Sequence, residues 1–188
     1  GFDAFRGCLS LKRIIVLGKS NKHIPDYNGS IIYGDAIING MLIKDNTFIT
    51  VVDPSITAVT IPASVTSIGD YAFYGCKSLT DITIPESVTS LGNQAFYNCK
   101  SLTSVTIQEG VKSIGTRAFM GCSSLTSITI PESVTSIERH AFNGCEALTD
   151  ITIPESVTSI GTRAFNGCSS LTSVTIPESV TSIGAGVF

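Results

Sequence analysis

Residues 72–94 read A-F-Y-G-C-K-S-L-T-D-I-T-I-P-E-S-V-T-S-L-G-N-Q, and close variants of this stretch return at Ala95, Ala118, Ala141 and Ala164. Five consecutive copies of 23 residues therefore occupy 72 to 186 with no insertion between them. A tandem period of this size specifies a solenoid, in which each coil touches only its neighbours and one core runs along the axis. Within the first copy the positions that stay apolar are Ala72, Phe73, Cys76, Leu79, Ile82, Ile84, Val88 and Leu91. Ala72, Phe73 and Cys76 have helical spacing, which predicts one short helical turn with its apolar side inward. Ile82 and Ile84 alternate with Asp81 and Thr83, the pattern of a strand with one buried face. Pro85 ends that strand because proline cannot donate to a ladder. Val88 and Leu91 then anchor a second short inward segment before Gly92 turns the chain into the next coil. The expected fold is an α/β solenoid, a short parallel strand plus a short helical turn per coil, right-handed by the usual crossover rule.

Two glycine columns differ in kind. The residue before each cysteine is Gly75, Asn98, Gly121, Gly144 or Gly167, and glycine exchanged only for asparagine marks a left-handed backbone. The column Gly69, Gly92, Gly115, Gly161 and Gly184 is interrupted by Glu138, so positive φ is not required there. Gln108 replaces the strand-ending proline in one coil.

The period is lost between Leu17 and Asp53. Turn signals at Asn28-Gly29, Asn39-Gly40 and Asp45-Asn46 separate the apolar runs Ile31-Ile32, Ile37-Ile38, Met41-Leu42-Ile43 and Phe48-Ile49. Asn-Gly between apolar pairs predicts antiparallel hairpins. The chain thus divides into a partial repeat at 1–17, an irregular β-hairpin-rich insertion at 18–53 continuous with the solenoid, and repeats from 54 to 188, all in one structural domain. The insertion is either packing that keeps the core closed or a binding feature. Both ends of the sequence read as the interior of a repeat, G-F-D-A-F-R-G-C at one and G-A-G-V-F at the other. An excerpt of a longer protein is the expectation, with export and anchoring signals outside it.

Composition narrows the function classes. A net charge of −3 gives no electrostatic reason for nucleic acid or an anionic membrane surface as partner, and no apolar run approaches the roughly 18 residues of a membrane helix. Of six cysteines, Cys76, Cys99, Cys122, Cys145 and Cys168 lie one period apart, while Cys8 is out of step. Stacked coils place equivalent positions about 4.8 Å apart with parallel Cβ vectors, wider than the roughly 3.8 Å a disulfide prefers. The column reads as reduced, buried thiols, and one thiolate per coil supplies no zinc-type cluster.

The pattern L-x-x-I-x-I-P-x-x-V-x-x-I-G-x-x-A-F-x-x-C resembles the BspA-like leucine-rich repeat, also called the Treponema pallidum type. Leu79, Ile82, Ile84, Val88, Leu91, Ala95, Phe96 and Cys99 occupy its signature positions, and the resemblance covers Pro54 to Phe188 plus Ala4 to Val16. It implies an extracellular or cell-surface bacterial protein, with host matrix or cell-surface proteins as ligands, and brings no catalytic residues or cofactor.

No enzyme constellation is present: the two histidines, His23 and His140, lack companions and read as solvated. Specificity is expected where the repeat varies, in the columns Tyr71/Gln94/Arg117/His140/Arg163 and Tyr74/Tyr97/Met120/Asn143/Asn166 and in Lys77/Lys100/Ser123/Glu146/Ser169. Exposed tyrosines suit interfaces, so Tyr71, Tyr74 and Tyr97 with Lys77 and Lys100 form a candidate protein-contact patch, weighed against unselected surface drift. The acidic column Glu86, Glu109, Glu132, Glu155 and Glu178 reads as a solvated edge in preference to a calcium site, since nothing supplies further ligands. Recognition or adhesion is the function read here, and a non-binding spacer displaying another domain is the alternative.

Overall fold

The computed structural model describes residues 41–51 and 53–188 in full and the backbone of 24–25, 31–32 and 36–38. The readings made for Ala4 to Val16, Cys8, His23, Asn28-Gly29 and Asn39-Gly40 lie outside the described residues. The N-terminal strands are β1 (Ile24–Pro25), β2 (Ile31–Ile32), β3 (Ala36–Ile38), β4 (Met41–Lys44) and β5 (Thr47–Val51). β1 pairs with β2, and β3 with β4 and β4 with β5, all antiparallel. Asp45 and Asn46 between β4 and β5 both have positive φ, 48° and 60°, the backbone a tight two-residue hairpin requires.

The coils follow, with strands β6 (Ser67–Ile68), β7 (Asp81–Ile84), β8 (Ser90–Leu91), β9 (Ser104–Ile107), β10 (Ser113–Ile114), β11 (Ser127–Thr129), β12 (Ser136–Ile137), β13 (Ser159–Ile160) and β14 (Ser182–Ile183). Two parallel ladders result. One joins β7, β9 and β11, with Ile82 opposite Val105 and Val105 opposite Ile128. The other is built of two-residue strands, β6 on β8 and β10 through β12 and β13 to β14, always with a register of one period. β5 adds to this second ladder in parallel, Phe48 opposite Ile68, so the irregular segment ends as a wall of the solenoid.

The first ladder does not reach every coil. Residues 150–153 and 173–176 form no strand, although Ile151 and Ile153 remain buried. The flanking amide bonds record the loss, from 2.8 Å for Thr103 N–H to Thr80 O to 3.4 Å for Thr149 N–H to Thr126 O.

The helical turn expected at Ala72 to Cys76 is absent, and no helix occurs among the described residues. The correct class is a β-solenoid. Within the coil, Tyr74 N–H donates to Tyr71 O at 2.9 Å and Cys76 N–H to Phe73 O at 3.1 Å. The amides of Tyr71, Phe73 and Gly75 instead donate to Asn93, Ala95 and Tyr97 of the next coil, at 3.0, 2.7 and 2.8 Å. Every second amide leaves its own coil. The cause is positive φ at Tyr71 (60°) and Gly75 (68°), which interrupts the right-handed run that i to i−4 bonding needs. The pair recurs at Gln94 and Asn98, Arg117 and Gly121, His140 and Gly144, and Arg163 and Gly167.

All eight apolar positions of the first copy are buried, none more than 5% exposed. The phenylalanines form a stack through the core, Phe48, Phe73, Phe96, Phe119, Phe142, Phe165 and Phe188, with centroids 4.6 to 5.8 Å apart. Beside it, the thiols of Cys99, Cys122, Cys145 and Cys168 donate to the carbonyls of Phe73, Phe96, Phe119 and Phe142 in the preceding coil, at 3.0 to 3.2 Å. Each of those carbonyls also accepts the amide of the cysteine in its own coil. The position therefore needs a side chain that is small, apolar and still a weak donor, which is cysteine. All five described cysteines are free, as read from the sequence, and burial pushes the Cys168 thiol up to about 11 and holds that of Cys145 well above the ordinary thiol value.

Surface hydroxyls hold the coils too. Thr103 and Thr126 donate to the carbonyls of Thr80 and Thr103 at 2.9 and 3.0 Å, and Thr89, Thr135, Thr158 and Thr181 repeat the contact on the other ladder. This accounts for a surface rich in Ser and Thr and poor in charge.

Candidate functional site

The varied columns border the left-handed turns. Each backbone bond from a turn to the next coil fixes the column in register, so residues one period apart stand beside one another. Tyr71 and Tyr74 are 46% and 51% exposed, and Tyr97 is half-buried. The rings of Tyr74 and Tyr97 stack at 5.1 Å and 3°, and Tyr71 tilts against Tyr74 at 5.9 Å. Gln94 Nε2 donates to the Tyr71 hydroxyl at 2.9 Å. The three tyrosines are thus one continuous aromatic surface, ordered before any partner arrives, and Lys77 and Lys100 are exposed one coil apart along its flank.

A shallow groove of about 400 Å³ continues from it. Tyr97, Met120 and Asn143 line one side, and Lys100, Ser123 and Glu146 the other. Its floor is the left-handed Gly/Asn column, where a side chain at Gly121 would meet the Asn98 amide oxygen. The groove exists because that column carries almost no side chains.

Further along, the structure corrects one expectation. His140 is buried, 7% exposed, and its Nδ1 has no hydrogen-bond partner. It lies between Arg117 and Arg163 in the column, with Arg139 before it in the chain. Burial, then the charges of Arg139, Arg117 and Arg163, hold its pKa below the usual histidine value. Tyr71, Gln94, Arg117, His140 and Arg163 all have φ between 54° and 60°, a conformation costing about 1 kcal/mol or more at each non-glycine residue. The sequence concealed this because none of the five is glycine. The one signal was Gly186, which stands at the same position in the last copy.

The acidic column is exposed throughout. Glu109 reaches along the axis to the next coil, its carboxylate accepting the amides of Glu132 and Ser133 at 3.2 and 2.9 Å. Among the described residues no three of His, Cys, Asp and Glu converge as metal ligands would, and no helix is long and apolar enough to cross a membrane.

Parallel coils stacked on a ladder of leucine, isoleucine and phenylalanine define the leucine-rich-repeat solenoids as the class. Residues 42–145 and 91–188 match the family model of the BspA type leucine rich repeat region, in 6 copies. The chain belongs to the BspA-type leucine-rich repeat family. Among solved structures it is similar to a T. pallidum leucine rich repeat protein, at 28% identity and TM-score 0.67, covering 76% of this chain and 77% of that one. It is also similar to a leucine rich cell surface protein from Faecalibacterium prausnitzii, at 36% identity and TM-score 0.65 over 82% of this chain and 51% of that one. A leucine-rich repeat protein from Eubacterium ventriosum, at 27% identity, has TM-score 0.70 over 82% and 49%. The chain thus spans about half the length of the last two. No curated protein matches it.

Proposed function

We propose that the chain is a cell-surface or secreted recognition module that binds a protein ligand through Tyr71, Tyr74 and Tyr97, flanked by Lys77 and Lys100. The observation carrying this reading is the stacked tyrosine surface, two of whose members are about half exposed. Large aromatic residues with polar tips supply the strongest single contacts at protein interfaces, and rings already fixed by Gln94 and by each other lose little further freedom on binding. The description of the F. prausnitzii relative as a cell surface protein supports the location. The family resemblance supports host matrix or cell-surface proteins as the ligand class.

The test is surface plasmon resonance against a panel of host matrix proteins. The chain's own later copies supply tolerated replacements, so Tyr71→Gln, Tyr74→Asn and Tyr97→Asn are combined, as in Gln94, Asn143 and Asn166. Loss of about tenfold or more in affinity supports the patch, and unchanged affinity rejects it. A non-binding spacer is the second reading, favoured by the uniform Ser/Thr ladders, and it gains if no panel member is captured.

A further inference from the structure

Arg117, Arg139 and Arg163 are all of the arginines among the described residues, and they fall in three adjacent coils on one stripe. Arg117 N–H donates to Arg139 O at 2.9 Å, His140 N–H to Thr162 O at 3.0 Å and Arg163 N–H to Ala185 O at 3.0 Å, which locks their order along the axis. With coils about 4.8 Å apart, Arg117 and Arg163 stand about 10 Å apart with His140 midway. None of the three guanidinium groups has an ion pair or a side-chain hydrogen bond among the described residues. Glu138, the adjacent acid in sequence, has its carboxylate engaged by the Ser136 hydroxyl at 2.9 Å. His140 meanwhile is 93% buried, the complement of its 7% exposure, with Nδ1 unpartnered.

Three uncompensated cations thus surround a buried histidine at one place on a chain whose net charge is −3. A bound anion offsets the three charges together. We propose that Arg117, Arg139 and Arg163, with His140 between them, bind the sulfate or carboxylate groups of an acidic polysaccharide laid along the solenoid axis. This site is separate from the tyrosine patch and does not depend on it.

The choice of ligand follows from the surroundings. The arginine fork matches sulfate and carboxylate oxygens in pairs. Flanking positions in these coils are Thr116, Thr162, Asn143 and Asn166, the two asparagine amides joined at 3.1 Å, a hydroxyl and amide surface suited to sugar hydroxyls. The large exposed apolar side chains, Tyr71, Tyr74, Ile183 and Phe188, lie in other coils, so a folded protein finds no dry core here. A single-stranded nucleic acid would also need aromatic side chains on which to stack its bases, and the exposed tyrosines Tyr71 and Tyr74 stand in other coils.

The charged groups around His140 are Arg117 from the preceding coil, Arg163 from the following one, and Arg139 and Glu138 on its own. An anion among them favours the protonated imidazole, so binding tightens as pH falls and, reciprocally, the ligand raises the His140 pKa.

The experiment is calorimetric titration of a sulfated glycosaminoglycan octasaccharide into the chain at low ionic strength. A second chain carries Arg117→Gln, Arg139→Thr and Arg163→Gln, residues the fold already accepts at Gln94, Thr116 and Thr162. The expected result is affinity at least about tenfold weaker for the variant, a His140 proton resonance titrating at higher pH when the octasaccharide is present, and weaker binding of polyglutamate of equal charge. Equal affinity for variant and parent, no binding by the parent, or polyglutamate bound as tightly as the glycan overturns the proposal.

Discussion

Phe119 is the sharpest place to ask whether the phenylalanine stack holds the coils together. It is fully buried, with Phe96 at 5.1 Å on one side and Phe142 at 5.4 Å on the other, both nearly parallel. Truncating a buried phenylalanine to alanine costs about 3–5 kcal/mol. Phe119→Ala also removes two ring contacts at once, each worth about 0.5–1.5 kcal/mol beyond area burial, which places the loss in the upper half of that range. At about 2–4 °C per kcal/mol for a chain of this size, the melting temperature falls by about 8–20 °C. Phe188→Ala is the internal comparison, since that ring is 60% exposed and has one neighbour at 5.8 Å. Its loss should stay below about 1 kcal/mol. Urea and thermal denaturation followed by circular dichroism measure both, and native-state hydrogen exchange shows whether coils on the two sides of Phe119 uncouple, as a nearest-neighbour array predicts. A loss for Phe119→Ala under about 1.5 kcal/mol, or no larger than for Phe188→Ala, refutes the assignment of coil coupling to the stack.

The thiol column and the buried histidine give two more predictions. Cys122 and Cys145 should resist alkylation at pH 8 in the folded chain and react fully in denaturant, as read by peptide mass spectrometry, because each is buried and donates its proton to a carbonyl; rapid native labelling would contradict the hydrogen-bonded column. Burial and the neighbouring arginines disfavour the protonated His140 imidazole in the fold, so the unfolded chain binds more protons around its ordinary pKa of about 6.5, and stability falls as pH drops through that value. In paired urea titrations at pH 7.5 and 5.5, His140→Gln should lose less stability on acidification than the parent; equal losses would show that His140 contributes no such dependence.

What the sequence made legible was whatever the period carried. The eight inward positions followed from their apolarity in every copy, and the left-handed Gly75 column followed from a choice restricted to glycine and asparagine. The tyrosines came together because columns of a solenoid are set by counting alone. The helical turn was misread because Ala72, Phe73 and Cys76 are buried by a turn that presents the same spacing, while the residue that forbids the helix is a tyrosine. Phe48 was invisible as a member of the stack, since it precedes Phe73 by 25 residues and not 23 and arrives on β5 from the irregular segment. The burial of His140 depends on its neighbours in the two adjacent coils, and spacing does not report how long side chains fold over one another. The absence of strands at 150–153 and 173–176 has no counterpart in the local sequence, which is nearly that of β7.

The amides that leave their own coil have a bearing on how long such an array can grow. On the turn side, Gln94, Phe96 and Asn98 donate forward to Thr116, Ala118 and Met120; outside the turns, Thr103, Gln108 and Lys112 of that coil donate backward to Thr80, Ile84 and Thr89. Peptide dipoles on the two sides therefore oppose one another along the axis, in contrast to an α-helix, whose dipoles add. Stacking another coil adds contact area without adding to an end-to-end field, and each terminal coil offers both donors and acceptors to whatever meets it.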